Sequence, residues 1–97
     1  RHSCFLSKPL RTIALCGGAG SFLTQAAINA GADAFITADM KYHEFFEADH
    51  KLLLADIGHF ESEQFTIQGI GTYLQSKFPT FAVLQTGVCT NPVHYFV

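Results

Sequence analysis

The stretch that decides the fold is Arg11-Thr-Ile-Ala-Leu-Cys16, followed directly by Gly17-Gly-Ala-Gly20. Its first six residues form a short run of mostly apolar, strand-forming side chains, which is typical of a buried strand. The glycine-rich residues break that strand, and apolar residues then recur at helical spacing from Ser21 to Ala30. Gly31 follows at the position where many helices end in glycine. The stretch therefore predicts a strand, a glycine turn and a helix.

The same alternation of strand and helix continues along the chain. The further predicted elements are strands at Ala34–Asp39, Leu52–Asp56 and Phe81–Gln85 and helices at Tyr42–Asp49 and Phe60–Phe78. Such βαβ units have right-handed crossovers and build a parallel sheet. We therefore predict an α/β fold, a mainly parallel sheet with helices packed on it, in which Cys16, Ile36 and Leu53 are buried.

The composition indicates one domain whose surface is partly covered by another protein chain or by a further part of the same protein. The 97 residues suffice for a single domain, and only 14% of them are charged, against about 25% in an average protein. Because a small domain needs charge to cover its surface, we expect an apolar face to pack against other copies or against a missing half. The aromatic residues expected on that face are Phe45, Phe46, Phe78, Tyr95 and Phe96. Since the chain begins with Arg1 rather than Met, we interpret residues 1–97 as part of a larger protein.

Charge and cysteine content argue against several classes of protein. The net charge is −2 with only six Lys and Arg, so the basic surface of a nucleic-acid-binding protein is missing. No apolar run reaches the ~18 residues that cross a membrane. The three cysteines form no Cys-x-x-Cys pair, which argues against a disulfide framework and favours a reducing, cytoplasmic location.

The glycine turn has more than one interpretation. A strand–turn–helix junction can bind a phosphate or carboxylate at the start of its helix. It half-matches a dinucleotide fingerprint, because Gly18 and Gly20 fit whereas Leu23 occupies the third glycine position. Asp39 lies near the spacing expected of a ribose-binding acid. The alternative is a tight structural turn with Ser21 as the helix cap, and the sequence leaves these interpretations open.

The segment Asp56-Ile-Gly-His-Phe-Glu-Ser-Glu63 carries a second candidate site. His59 and Glu63 are four residues apart, so on a helix they share a face. An imidazole and a carboxylate together suit zinc, iron or manganese. The alternative is an ordinary helix start, where acidic residues interact favourably with the helix dipole. The metal interpretation gains support from position, because α/β proteins place ligand sites at the carboxyl ends of their parallel strands.

The same spacing recurs at His43 and Glu47, so the spacing alone is unspecific. This second pair is not the metalloprotease motif His-Glu-x-x-His, because Glu47 stands where the second histidine is required. His43 follows the second predicted strand and is our candidate for proton transfer, with a solvated or packed side chain as the alternative. We expect His50 to be a solvated loop residue.

Several segments together resemble one family. They are Arg1-His2, Cys16–Ser21, Thr37–Glu44, Asp56–Glu63 and Asn91-Pro92. Their order and combination are similar to the carboxyl-terminal part of the GTP cyclohydrolase 1 type 2 homologues, also called Nif-three-like dinuclear-metal proteins. The similarity covers essentially the whole chain, with Ala38 where the family commonly has glycine.

The resemblance implies an α/β fold with two divalent metal ions in a cleft and assembly into a ring-like hexamer. It implies that His59 and Glu63 are metal ligands. The remaining ligands, a His-His pair and an aspartate, would lie in the family's amino-terminal half. Residues 1–97 would then be the carboxyl-terminal half, with that amino-terminal half as its partner.

Two functional hypotheses follow. The first is part of a metal-dependent hydrolase with a nucleotide-like substrate, in which bound metal activates water. The second is a regulatory or protein-interaction module with a structural metal site, which would lack an exchangeable water. Under both hypotheses we expect Asp39 and Asp56 to orient ligands by hydrogen bonds. We also expect the isolated chain to be largely metal-free, because it supplies only two ligands.

Overall fold

The computed structural model describes residues 1–96 of the chain. The strands are β1 (Ile13–Ala19), β2 (Ala34–Ala38) and β3 (Leu53–Asp56), and the α-helices are α1 (Thr24–Asn29), α2 (His59–Glu63) and α3 (Thr66–Lys77). Two 3-10 helices, Ser21–Leu23 and Tyr42–Ala48, complete the regular structure of the described residues. The chain forms two compact units, Arg1–Glu63 and a second one that starts at Gln64.

The first unit is built on a parallel three-stranded sheet in the order β1-β2-β3. Ala34 of β2 lies opposite Ile13 on one side and Leu53 on the other. Each pair of strands is joined by a helical crossover, because a tight hairpin turn cannot join parallel neighbours. The predicted α/β fold with a parallel sheet is confirmed.

The sequence predicted a strand over Arg11–Cys16, whereas β1 begins at Ile13 and continues through the glycines to Ala19. Its pairing with β2 shifts between Leu15 and Ala19, which marks a bulge. Gly18 has a φ of 65°, a conformation that costs glycine little. The glycines therefore bend the strand rather than terminate it, because a bulge absorbs the irregular backbone while pairing resumes beyond it.

The end of α1 follows the predicted glycine pattern. Gly31 has a φ of 75°, and its amide donates to the carbonyl of Ile28 at 2.9 Å. The amide of Ala32 donates to the carbonyl of Ala27 at 3.0 Å. These two bonds form a Schellman motif, which satisfies carbonyls that the helix leaves unpaired.

The hydrophobic core of the first unit lies on one face of the sheet. Phe35, Leu52 and Leu54 are its largest fully buried apolar side chains. Of the three residues predicted to be buried, Leu53 is buried, whereas Cys16 and Ile36 are only partly so. The difference for Cys16 arises because β1 is an edge strand whose residues alternate between partly buried and exposed.

The predicted helix Phe60–Phe78 is two helices, α2 and α3, interrupted at Gln64 and Phe65. The interruption contains neither proline nor glycine, so no local signal in the sequence marks it. No helix in residues 1–96 is long and apolar enough to cross a membrane.

The predicted fourth strand at Phe81–Gln85 is wrong, because these residues adopt no regular structure. An apolar segment becomes a strand only where a neighbouring strand supplies backbone hydrogen bonds. Leu84 is 91% exposed, whereas a residue of a central strand would be buried. The apolar pattern was correctly recognised, but it does not guarantee a pairing partner.

Candidate metal centre

The carboxyl ends of the three strands form one edge, and the segments that follow them meet there. The bulged end of β1 contacts α2 through Gly18 and Ser62, whose side-chain oxygen accepts the Gly18 amide hydrogen at 2.8 Å. Asp39, directly after β2, contacts His59, the first residue of α2. The candidate residues from separate segments therefore share one site, as parallel strands predict.

His59 and Glu63 lie on the same face of α2, with Nε2 of the imidazole 3.2 Å from Oε2 of the carboxylate. Both side chains are about half exposed, at 50% and 49%. Nitrogen and oxygen ligands bound to one ion at about 2.0–2.1 Å lie roughly 2.8–3.4 Å apart for angles between square and tetrahedral. The observed separation is that of a direct (i,i+4) ion pair and also falls in that range. The two side chains therefore need little rearrangement to act as neighbouring ligands of a single metal ion.

Gly18 forms the surface against which the pair packs. A Cβ atom added there would lie 2.5 Å from Oε1 of Glu63 and 3.1 Å from Cε1 of His59. The hydroxyl of Thr37 on β2 donates to the Gly18 carbonyl at 3.0 Å and holds this peptide group in place. The glycine is thus required by its φ and by the closeness of both side chains.

These contacts bear on whether the glycine turn is structural or binds the phosphates of a dinucleotide. The Gly18 amide is bonded to Ser62, and the space above Gly18 contains the side chains of α2. A phosphate cradle needs free amides pointing at the ligand. The geometry therefore favours the structural turn over the dinucleotide site. Ser21 is not its cap as predicted, because Gly20 precedes the 3-10 helix and the Ser21 hydroxyl donates to Glu44 instead.

Asp39 holds the other side of the imidazole. Its Oδ2 lies 2.6 Å from Nδ1 of His59. The hydrogen bond to Asp39 raises the pKa of His59, and the negative charge of Glu63 raises it further. Because a carboxylate only accepts hydrogen bonds, the protonated imidazole donates from Nδ1 to Asp39 and from Nε2 toward Glu63. A metal ion bound by His59 and Glu63 would take the place of the Nε2 proton.

Asp56 stabilises the backbone around the site. Its carboxylate accepts hydrogen bonds from the amides of Met40 at 3.2 Å and Gly58 at 3.1 Å, and it forms an ion pair with Arg1. Burial favours the neutral acid, but the two amides and the guanidinium outweigh it and hold the pKa of Asp56 below its usual value. Asp56 thus ties the segments after β2 and β3 together and supports the backbone that precedes His59.

His43 lies exposed on the 3-10 helix Tyr42–Ala48, and the hydrogen bonds described for residues 1–96 do not connect it to His59 or Glu63. Its role in proton transfer stays a prediction. Sequence reasoning missed its neighbour Glu44, which accepts hydrogen bonds from the Ser21 hydroxyl at 3.1 Å and the Lys41 amide at 2.7 Å. The Glu44 hydrogen bonds connect the 3-10 helix to the residue that follows the glycine turn.

A cavity of about 520 Å³ lies between the amino-terminal segment and the 3-10 helix. Its lining includes the aromatic side chains Tyr42, Phe45 and Phe46 and the imidazoles of His2 and His50. Neither His59 nor Glu63 lines it. No pattern of spacing could reveal this cavity, because its walls come from segments about 40 residues apart in the chain.

Within residues 1–96, no group of three or more His, Cys, Asp or Glu residues is arranged to hold a metal ion. His59 and Glu63 supply two donors, whereas a zinc ion takes three or four protein ligands. The pair fits a metal in donor chemistry and spacing but is an incomplete site.

Fold and site define an α/β protein that presents a histidine–carboxylate pair at the carboxyl edge of a parallel sheet. The chain belongs to the Duf34/NIF3 (NGG1p interacting factor 3) family, which matches residues 1–92.

The relatives in this family are longer proteins. The chain is 36% identical over 90 residues to a GTP cyclohydrolase 1 type 2 homolog of Campylobacter jejuni, covering 92% of this chain and 35% of that protein. It is 33% identical over 94 residues to the homolog from Staphylococcus aureus, covering 92% of this chain and 25% of the relative. The chain therefore spans about a quarter to a third of these relatives.

Two solved structures share the fold. A Bacillus cereus protein related to NIF3 superimposes with a TM-score of 0.86 at 29% identity, over 99% of this chain and 28% of the other. A hypothetical protein of Staphylococcus aureus superimposes with a TM-score of 0.88 at 31% identity, over 99% and 33%. The family resemblance inferred from the motifs is confirmed.

Proposed function

We propose that this chain supplies part of the metal site of a larger metal-dependent hydrolase. The observation that carries the proposal is the 3.2 Å separation of the two donor atoms of His59 and Glu63. Both side chains are half exposed, so an ion held by them is open to solvent. Two divalent ions per complete site are proposed, and zinc, iron and manganese all accept these donors.

A metal ion at such a site lowers the pKa of bound water and so generates a nucleophile at neutral pH. The residues of this chain would bind the metal and position groups around it. His59 and Glu63 hold one part of the coordination sphere, and Gly18 leaves room for both. His43, which is exposed, is the proposed group for proton transfer with the substrate.

The missing donors are proposed to come from an amino-terminal half like that of the longer relatives. Exposed apolar side chains support a covering partner: Phe46 is 69% exposed, Phe78 53% and Tyr95 64%. Phe45, by contrast, is partly buried against the core. We propose that the exposed aromatic side chains of each unit pack against the amino-terminal half or against further copies in a hexamer, in the cytoplasm.

The proposed substrate is nucleotide-like. Aromatic side chains bind planar rings by stacking, and the cavity beside Tyr42 and Phe46 offers such a lining within the volume range of small-molecule sites. Its imidazoles add hydrogen-bonding groups.

The test is a metal assay and a nucleotide-hydrolysis screen on the intact, longer protein. We expect His59→Ala to release metal and abolish hydrolysis, because it removes a donor. His50→Ala is the control for metal content, since His50 is an exposed loop residue outside α2, and it should leave the bound metal unchanged. Hydrolysis that survives His59→Ala would refute the proposal, as would tight stoichiometric metal binding by residues 1–97 alone.

A protein-interaction module with a structural metal is the second candidate. The family description names an interacting factor, which favours this class. The two functions differ in coordination. Retained metal without an exchangeable water, together with no hydrolysis of any nucleotide screened, would establish the interaction module instead.

A further inference from the structure

Asp39 has a backbone conformation that L-residues rarely adopt. It lies directly after β2 with a φ of 56°, in the left-handed region that glycine favours. Aspartate tolerates this region better than most residues, yet the conformation still costs free energy. The exposed turn residues Asp49 and His50 adopt the same region, so the conformation by itself does not mark a functional contact.

The conformation allows one specific contact, the 2.6 Å hydrogen bond between Oδ2 of Asp39 and Nδ1 of His59. An imidazole has two nitrogens, and a metal binds the one that carries no proton. A proton held on Nδ1 by Asp39 leaves the lone pair on Nε2. Glu63 also faces that atom, at 3.2 Å, but the contact of Asp39 with Nδ1 is shorter. The neutral ring therefore keeps its proton on Nδ1 and offers the Nε2 lone pair to a metal ion beside Glu63.

A second aspartate with the same backbone conformation lacks this contact. Asp49 has a φ of 44°, and its carboxylate pairs with Lys51 at 2.8 Å. It is exposed and follows the 3-10 helix Tyr42–Ala48. Asp49 thus separates the effect of the left-handed backbone from the effect of a carboxylate at His59.

We propose that Asp39 is a positioning residue that fixes the Nδ1–H tautomer and the orientation of His59 for metal binding through Nε2. This role rests on the proposed metal site. Asp39 acts through His59 and does not itself bind the ion, because its oxygen bonds to the ring nitrogen on the side away from Glu63.

The first experiment is zinc titration of the intact protein against a competing chelator. Asp39→Gly removes the carboxylate while glycine accepts the backbone conformation, and we expect zinc affinity to fall about 10–100-fold. Asp49→Gly, the matched control, should bind zinc like the unmodified protein. Asp39→Asn keeps an acceptor oxygen without the charge, so its affinity should lie between the two.

The second experiment reads the tautomer without metal. In nitrogen NMR spectra of the metal-free protein, with His59 assigned by the signal lost in His59→Gln, neutral His59 should carry its proton on Nδ1. In Asp39→Gly the proton should shift toward Nε2. A merely structural role would not move this signal.

The outcomes separate the two proposals. If the unmodified protein binds no metal, the proposed function fails, while the tautomer still reports on Asp39. Unchanged zinc affinity or an unchanged tautomer in Asp39→Gly would overturn the positioning role. A loss of one whole ion, rather than weaker binding, would show that Asp39 is a ligand and would overturn it too.

Discussion

Replacing Gly18 by alanine gives the sharpest test of how the site is built. The new methyl group would lie 2.5 Å from Oε1 of Glu63, which must retreat by about 1 Å to reach an ordinary contact distance. The ring of His59, at 3.1–3.2 Å, must also shift by a few tenths of an ångström. Both proposed metal ligands are therefore displaced by one methyl group.

The cost to stability should be small. A φ of 65° costs an L-residue roughly 1–2 kcal/mol, and the loss of glycine's unfolded-state freedom offsets about 0.4–1 kcal/mol of this. Glu63 is half exposed and can rotate into solvent for about 1 kcal/mol or less. We therefore expect a destabilisation of about 1–2 kcal/mol, but a fall in zinc affinity of about 10–100-fold, because the donor spacing is lost.

Gly31 provides the matched control. Its φ is 75°, yet a Cβ atom there meets nothing within 4 Å. Gly31→Ala should cost similar backbone strain, measured by urea denaturation, without changing zinc affinity in a chelator competition. Equal zinc affinities of the Gly18→Ala and Gly31→Ala proteins would refute the reasoning.

Two further predictions concern the fold. Leu54→Ala should lower the free energy of unfolding, measured in urea, by about 2–5 kcal/mol because Leu54 is fully buried. Leu84→Ala, at a position 91% exposed, should change this free energy by less than about 0.5 kcal/mol. Equal losses in the two variants would contradict the burial pattern. Hydrogen bonds from Lys8 and from two backbone amides lower the pKa of Asp33 in the folded state. The contribution of Asp33 to stability is therefore fully present above the ordinary aspartate pKa and is lost as the pH falls from there toward the folded-state pKa. Asp33→Asn should thus reduce the drop in the urea midpoint of unfolding between pH 7 and pH 3. An unchanged drop would show that Asp33 does not couple folding to pH.

Local sequence patterns determined the order of the elements from β1 to β3 and much of the candidate site. The apolar runs predicted β1, β2 and β3, and Gly31 predicted the end of α1, because these signals depend on residues within a few positions of each other. Parallel pairing then placed Asp39 and His59 at the same edge. The four-residue spacing put His59 and Glu63 on one helix face.

Tertiary structure decided the rest. The contact between Gly18 and Ser62 joins residues 44 apart, and that between Asp39 and His59 joins residues 20 apart. Neither the role of Gly18 as a packing surface nor the left-handed backbone of Asp39 is encoded in the neighbouring residues. The failed strand at Phe81–Gln85 has the same cause, since an apolar pattern reports what a segment can bury, whereas its hydrogen-bond partner lies elsewhere in the chain or in another chain. Sequence thus determined which side chains reach the edge of the sheet, and only the folded backbone decided how they face one another.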